Sequence, residues 1–94
     1  MEYRLDEFVK DVFRIARYKG YTIEVNRRNG LAQIDFGVKK LHLDHIEKLF
    51  PSVLSRDVKI SELIDAVAPG RPCVHRPFRE IVEQICRERS INKD

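Results

Sequence analysis

Asn29-Gly30 stands between two runs in which apolar and polar residues alternate. Before it, Tyr21, Ile23 and Val25 alternate with Thr22, Glu24 and Asn26; after it come Leu31, Ile34 and Phe36. Asn and Gly tolerate the positive φ of a type I′ turn, and a period of two puts alternate side chains on one face. The pattern predicts an antiparallel hairpin over residues 21–36. It also constrains everything else, because one hairpin is not stable alone in water and its apolar face must be covered. Two registers are open. A two-residue loop pairs Val25 with Ile34 and Ile23 with Phe36, and sets Glu24 opposite Asp35. A four-residue loop over 27–30 pairs Ile23 with Ile34 and Tyr21 with Phe36, and removes that carboxylate clash.

The covering elements read as helices. Residues 4–19 carry Leu5, Phe8, Val9, Val12, Phe13 and Ala16 at helical spacing, with Ile15 at the flank. Acids come early (Asp6, Glu7, Asp11) and bases late (Arg14, Arg17, Lys19), as the helix dipole favours, and Gly20 is placed to cap the end. Gly37 ends the hairpin, and Lys40-Leu41-His42-Leu43 alternates as a candidate third strand. Asp44-His45-Ile46-Glu47 has capping-box spacing for a helix over about 44–50, stopped by Pro51. A further helix spans about 61–68 and is closed by Pro69-Gly70. The last helix, about 77–89, starts on Pro77 and buries Phe78, Ile81, Val82 and Ile85, with Cys86 at the edge and Glu83 placed to pair with Arg87. Residues 90–94 are expected to fray.

The order suggests one α+β domain over 1–94: an N-terminal helix, an antiparallel hairpin with a candidate third strand, then three helices. We expect the hairpin to lie on the first and last helices. The expected core joins Phe8, Val12, Ile23, Ile34, Phe36, Phe78, Val82 and Ile85.

Composition narrows the functional classes. The two cysteines, Cys73 and Cys86, are too few for a disulfide scaffold. No apolar stretch approaches the ~18 residues of a membrane span, and no apolar leader follows Met1. The expectation is a reduced, cytoplasmic protein without a membrane role. No Walker A loop, dinucleotide-binding glycine pattern or nucleophile elbow is present, so an enzyme is not expected. The formal net charge of +3 permits nucleic-acid binding without demanding it.

Three clusters bear on binding. Lys10, Arg14 and Arg17 form a stripe opposite the core face of the first helix, with Asp6 and Asp11 near enough to neutralise some of it. Arg71, Arg76 and Arg79 lie in an acid-free stretch with prolines at 69, 72 and 77, which reads as a stiffened loop and the main contact surface. Arg27 and Arg28 mark the hairpin tip. The plain alternative is that these are ordinary solvated arginines.

A fourth constellation is His42-x-x-His45 with Cys73-x-His75, donors that suit Zn²⁺. The spacing matches no standard finger, and the helix start expected at Asp44 leaves His42 outside the helix, off the face of His45. The leading expectation is a small non-enzymatic regulatory module that binds nucleic acid or a nucleoprotein through its arginine surfaces. A protein–protein adaptor or inhibitor docking on an acidic partner is the alternative, and a zinc-stabilised interaction domain the second alternative.

Overall fold

The computed structural model describes residues 2–26, 28–37, 39–55, 58–67 and 72–91, with side chains except at 61, 67 and 72–75. The elements are α1 (Leu5–Tyr18), β1 (Thr22–Asn26), β2 (Leu31–Asp35), β3 (Lys40–His42), α2 (Leu43–Val53), α3 (Ile60–Val67) and α4 (Pro72–Glu88). The expected α+β architecture is present, and the candidate third strand forms. The sheet is antiparallel, in the order β1-β2-β3.

The hairpin takes the four-residue loop. Ile23 pairs with Ile34 and Glu24 with Gln33, and the rings of Tyr21 and Phe36 meet edge-on at 4.8 Å. Of the two turn residues, Gly30 adopts a positive φ of 71°, whereas Asn29 does not. Asn29 serves through its side chain, whose Oδ1 accepts the Leu31 N–H at 3.0 Å; Asn26 does the same for Arg28. This register separates the two carboxylates. Glu24 accepts hydrogen bonds from Gln33 and Lys40, and Asp35 caps the Gly37 N–H.

Ile34 and Leu41 carry the core face of the sheet and are fully buried; Ile23 and Phe36 pack beside them, half-buried. That face lies against α1 and α2, which corrects the expectation that the last helix covers it. α4 instead packs on α1 and α3. Helix α2 is chained directly to β3, so it cannot leave the sheet. Phe78, Ile81, Val82 and Ile85 nevertheless join Phe8, Val12 and Ile34 in one continuous core.

Several boundaries differ from expectation. β3 runs straight into α2, so His42 takes the N-cap position with extended backbone, and the Asp44 capping box does not form. Pro51 lies inside α2. Its missing N–H deprives only the carbonyl of exposed Glu47, which water can serve, while burial of Leu49 and Val53 favours completing the turn. α3 begins at Ile60, one residue earlier than expected. α4 begins at Pro72, five residues before Pro77. Pro72 fits the first helical position, and Pro77 sacrifices one backbone bond in the second turn.

Both long helices end alike. The N–H of Tyr21 reaches the Ala16 carbonyl at 2.9 Å and that of Gly20 reaches Arg17 at 3.0 Å. At the end of α4, Ile91 bonds Cys86 at 2.7 Å and Ser90 bonds Arg87 at 3.4 Å. These are Schellman closures, and each needs a left-handed residue. Gly20 supplies one without strain, at φ 92°. Ser90 supplies the other at φ 57°, the one non-glycine with positive φ among the described residues. Ser90 and Ile91 are therefore part of the fold, contrary to the expected fraying, while 92–94 lie outside the described residues.

Asp11 is buried on α1, a position the apolar stripe did not reveal. Its carboxylate accepts the Tyr3 hydroxyl at 2.8 Å, Arg89 Nε at 3.0 Å and Arg14 at 3.4 Å. Arg14 also grips Glu88 at 3.0 Å, and Lys19 pairs with Glu80 at 3.8 Å. Residue 19 thus meets 80 while 11 meets 89, so α1 and α4 run antiparallel along a charged seam. Tyr3 is wedged between the rings of Phe8 and Phe50, with the Arg89 guanidinium 4.7 Å from its own ring centre. Burial first, then the hydrogen bond to Asp11 and its charge, hold the Tyr3 hydroxyl far above the ordinary value of 10.0.

Three outcomes follow from this packing. Phe78→Ala should lower stability by about 3–5 kcal/mol in urea unfolding, since it empties a site at the heart of the core. Ser90→Gly should raise stability by about 1 kcal/mol, because the left-handed conformation is costless for glycine. A raised folded-state pKa means that the Tyr3 contribution is whole below 10.0 and is lost as pH climbs above it. Melting temperature should therefore fall in the alkaline range, and Tyr3→Phe should flatten that fall while costing about 1–2 kcal/mol at neutral pH through the lost hydrogen bond. An alkaline limb identical in the two proteins would contradict the assignment.

Candidate functional site

The cations that look alike in the sequence divide sharply once the helices are in place. Arg76 and Arg79 stand on α4, so the expected proline-stiffened loop is helical from Pro72 onward. Arg79 is bound to Glu83 at 3.0 Å, which takes the acid expected to pair with Arg87. Arg76 is exposed on a helix that also presents Glu80 and Glu83. Arg28 is exposed at the hairpin tip. Arg27 and Arg71 lie outside the described residues.

Helix α1 gives a different picture. Its buried side is fixed by Phe8, Val12, Ile15 and Ala16, with Ile15 central where the flank was expected and Leu5 largely exposed. Lys10, Arg14 and Arg17 fall on the opposite side, each adjacent to the next at a spacing of three or four. Lys10 and Arg17 are exposed and make no ion pair among the described residues. Arg14 is held by Glu88 and Asp11 yet keeps 54% of its side chain in solvent. The nearby acids are engaged elsewhere: Asp6 faces Arg4 at 3.8 Å, and Glu7 lies 4.0 Å from Arg89.

One member of this face escaped the sequence reading. Tyr18 ends α1 and is 85% exposed, the most exposed of the large apolar side chains among the described residues. It follows Arg14 by four residues, so it stands beside that cation one turn nearer the helix C-terminus, at the edge of the basic face. The signal was present in the periodicity, since position 18 lies off the stripe formed by 5, 8, 9, 12, 13 and 16.

The histidine pair does come together. His42 occupies the N-cap position of α2, without a side-chain cap hydrogen bond, and His45 lies in the first turn; their rings meet edge-on with centres 5.9 Å apart. The N-cap and the third helical residue face one another, as in a capping box, so His42 need not be helical to reach His45. The side chains of Cys73 and His75 lie outside the described residues. Among the described residues no group of three or more His, Cys, Asp or Glu is placed to hold a metal ion. The expected zinc site needs Cys73 and His75 beside this pair, and the meeting of the two histidines bears on its first half alone.

The outer sheet face forms an open concavity of about 330 Å³ whose lining includes Glu24, Asn26, Leu31, Gln33 and His42. Glu24 is not free for acid–base work. Its bonds from Lys40 and Gln33 hold its carboxyl below the usual range. Among the described residues, no helix is long and apolar enough to cross a membrane. Comparison with protein-family models, curated proteins and solved structures found no match to this chain.

Proposed function

We propose that this protein is a small non-enzymatic binding module that engages nucleic acid through the solvent face of α1. The observation that carries the reading is the row of Lys10, Arg14 and Arg17, of which the first and last make no ion pair among the described residues. A rigid helix presents them in fixed order, and a phosphate backbone is the polyanion such a row fits. The Asp11 network supports the same reading, because it pins Arg14 in place and ties the helix to α4. Arg28 and Arg76 are among the further exposed cations.

A second reading has its own support. Val25 is 61% exposed and Leu31 46% exposed, and both flank the hairpin loop that carries Arg28. Apolar area beside an arginine suits a protein hot spot, which favours an acidic protein partner at the tip.

Salt dependence separates the two. Nucleic-acid binding through α1 should weaken log-linearly with salt, and Lys10→Ala with Arg17→Ala should flatten the slope by roughly one unit for each side chain removed. Neither residue contributes to the core, so the variant should melt within about 1 kcal/mol of the parent. Unchanged affinity and slope in the double variant would remove the α1 face from consideration.

A further inference from the structure

Phosphate binding accounts for the cations of the α1 face and leaves Tyr18 without a role. The ring is too exposed to serve the core. Neither of the other tyrosines resembles it: Tyr3 is wedged between two phenylalanines and Tyr21 packs on Phe36. Arg14 stands one turn before the ring on the same flank of the helix, and Lys10 lies roughly 10 Å from Arg17 along the axis.

We infer that Tyr18 is a stacking platform for an unpaired base, and that the ligand of this face is therefore single-stranded nucleic acid. The inference rests on the proposed binding role of α1. A duplex hides the faces of its bases, so it can offer phosphates to Lys10, Arg14 and Arg17 but nothing to an exposed ring. A single strand offers both, with its backbone along the cations and a splayed base on Tyr18. The charge complementarity runs the same way. Lys10, Arg14 and Arg17 offer cations to the phosphates, and the uncharged ring of Tyr18 offers a π-face to a base.

The test compares a short oligothymidylate with a duplex of equal length. Fluorescence anisotropy gives the affinities, and intrinsic tyrosine emission gives the contact. The chain has no tryptophan to mask its three tyrosines. Tyr18→Leu removes the ring while keeping a strong helix former, so folding is preserved, and Tyr18→Phe keeps the ring while removing the emission. The expected result is that the parent prefers oligothymidylate, whose binding quenches its emission. Tyr18→Leu should weaken that binding by about 5- to 150-fold and leave duplex binding unchanged. Tyr18→Phe should retain the affinity and lose the quenching.

A parent that favours the duplex, or a Tyr18→Leu variant that binds oligothymidylate as the parent does, would overturn the inference. If the Lys10 and Arg17 variant still loses affinity in that case, the binding role of α1 stands and only the stacking fails. A parent that binds neither nucleic acid, or that binds polyglutamate as tightly as oligothymidylate, overturns both and leaves an acidic protein surface as the partner.

Discussion

Helix α1 has to bury one side against three neighbours at once: β1, α2 and α4. The remainder of the fold follows from that requirement. Phe8, Val12, Ile15 and Ala16 spend the apolar side of the helix on the core, and Asp11 spends its flank on the seam with α4. What remains is one narrow strip of surface held rigid from behind. A side chain on that strip loses little backbone entropy when it meets a partner, because the helix that carries it is already fixed.

The charged seam explains why counting bases against acids says little about this protein. Arg14, Arg79 and Arg89 each have a carboxylate within 3.0 Å. Arg89 lies 78 residues from Asp11 and Arg14 lies 74 from Glu88, so no local pattern could have paired them. Pairing in three dimensions thus engages part of the basic excess, and among the described residues the exposed cations outside any ion pair include Lys10 and Arg17 on α1, Arg76 and Arg87 on α4, and Arg28 at the hairpin tip. Surface ion pairs contribute modestly to stability. Asp11 differs because its carboxylate is buried and must keep its donors.

Much of the fold was legible because periodicity reports burial directly. The stripe of α4 from Phe78 to Ile85 was read correctly, as was the third strand, because both depend on neighbours close in sequence. The hairpin register was not decidable from apolar pairing, since both loops keep one apolar face; the carboxylate clash between Glu24 and Asp35 and the Tyr21–Phe36 contact both belong to the balance that selects it. The prolines misled for a different reason. Pro51 and Pro77 read as helix boundaries, but each removes a single backbone bond; burial of Val53 beyond Pro51 outweighs that loss, and α4 finds a proline suited to a first helical position five residues earlier, at Pro72. Moving the start of α4 to Pro72 then changed the candidate site, because it turned an expected arginine loop into a helix face interleaved with glutamates.

That exchange bears on what kind of surface this small protein can offer. An arginine loop would adapt to its partner and lose entropy on binding. The α1 face cannot adapt: its cations project at spacings set by the helix, and Arg14 is fastened from two sides. The exposed Val25 and Leu31 at the hairpin tip offer apolar area instead. The α1 face and the hairpin tip therefore differ in chemistry, and the backbone that carries the α1 cations is fixed by its packing before any partner arrives.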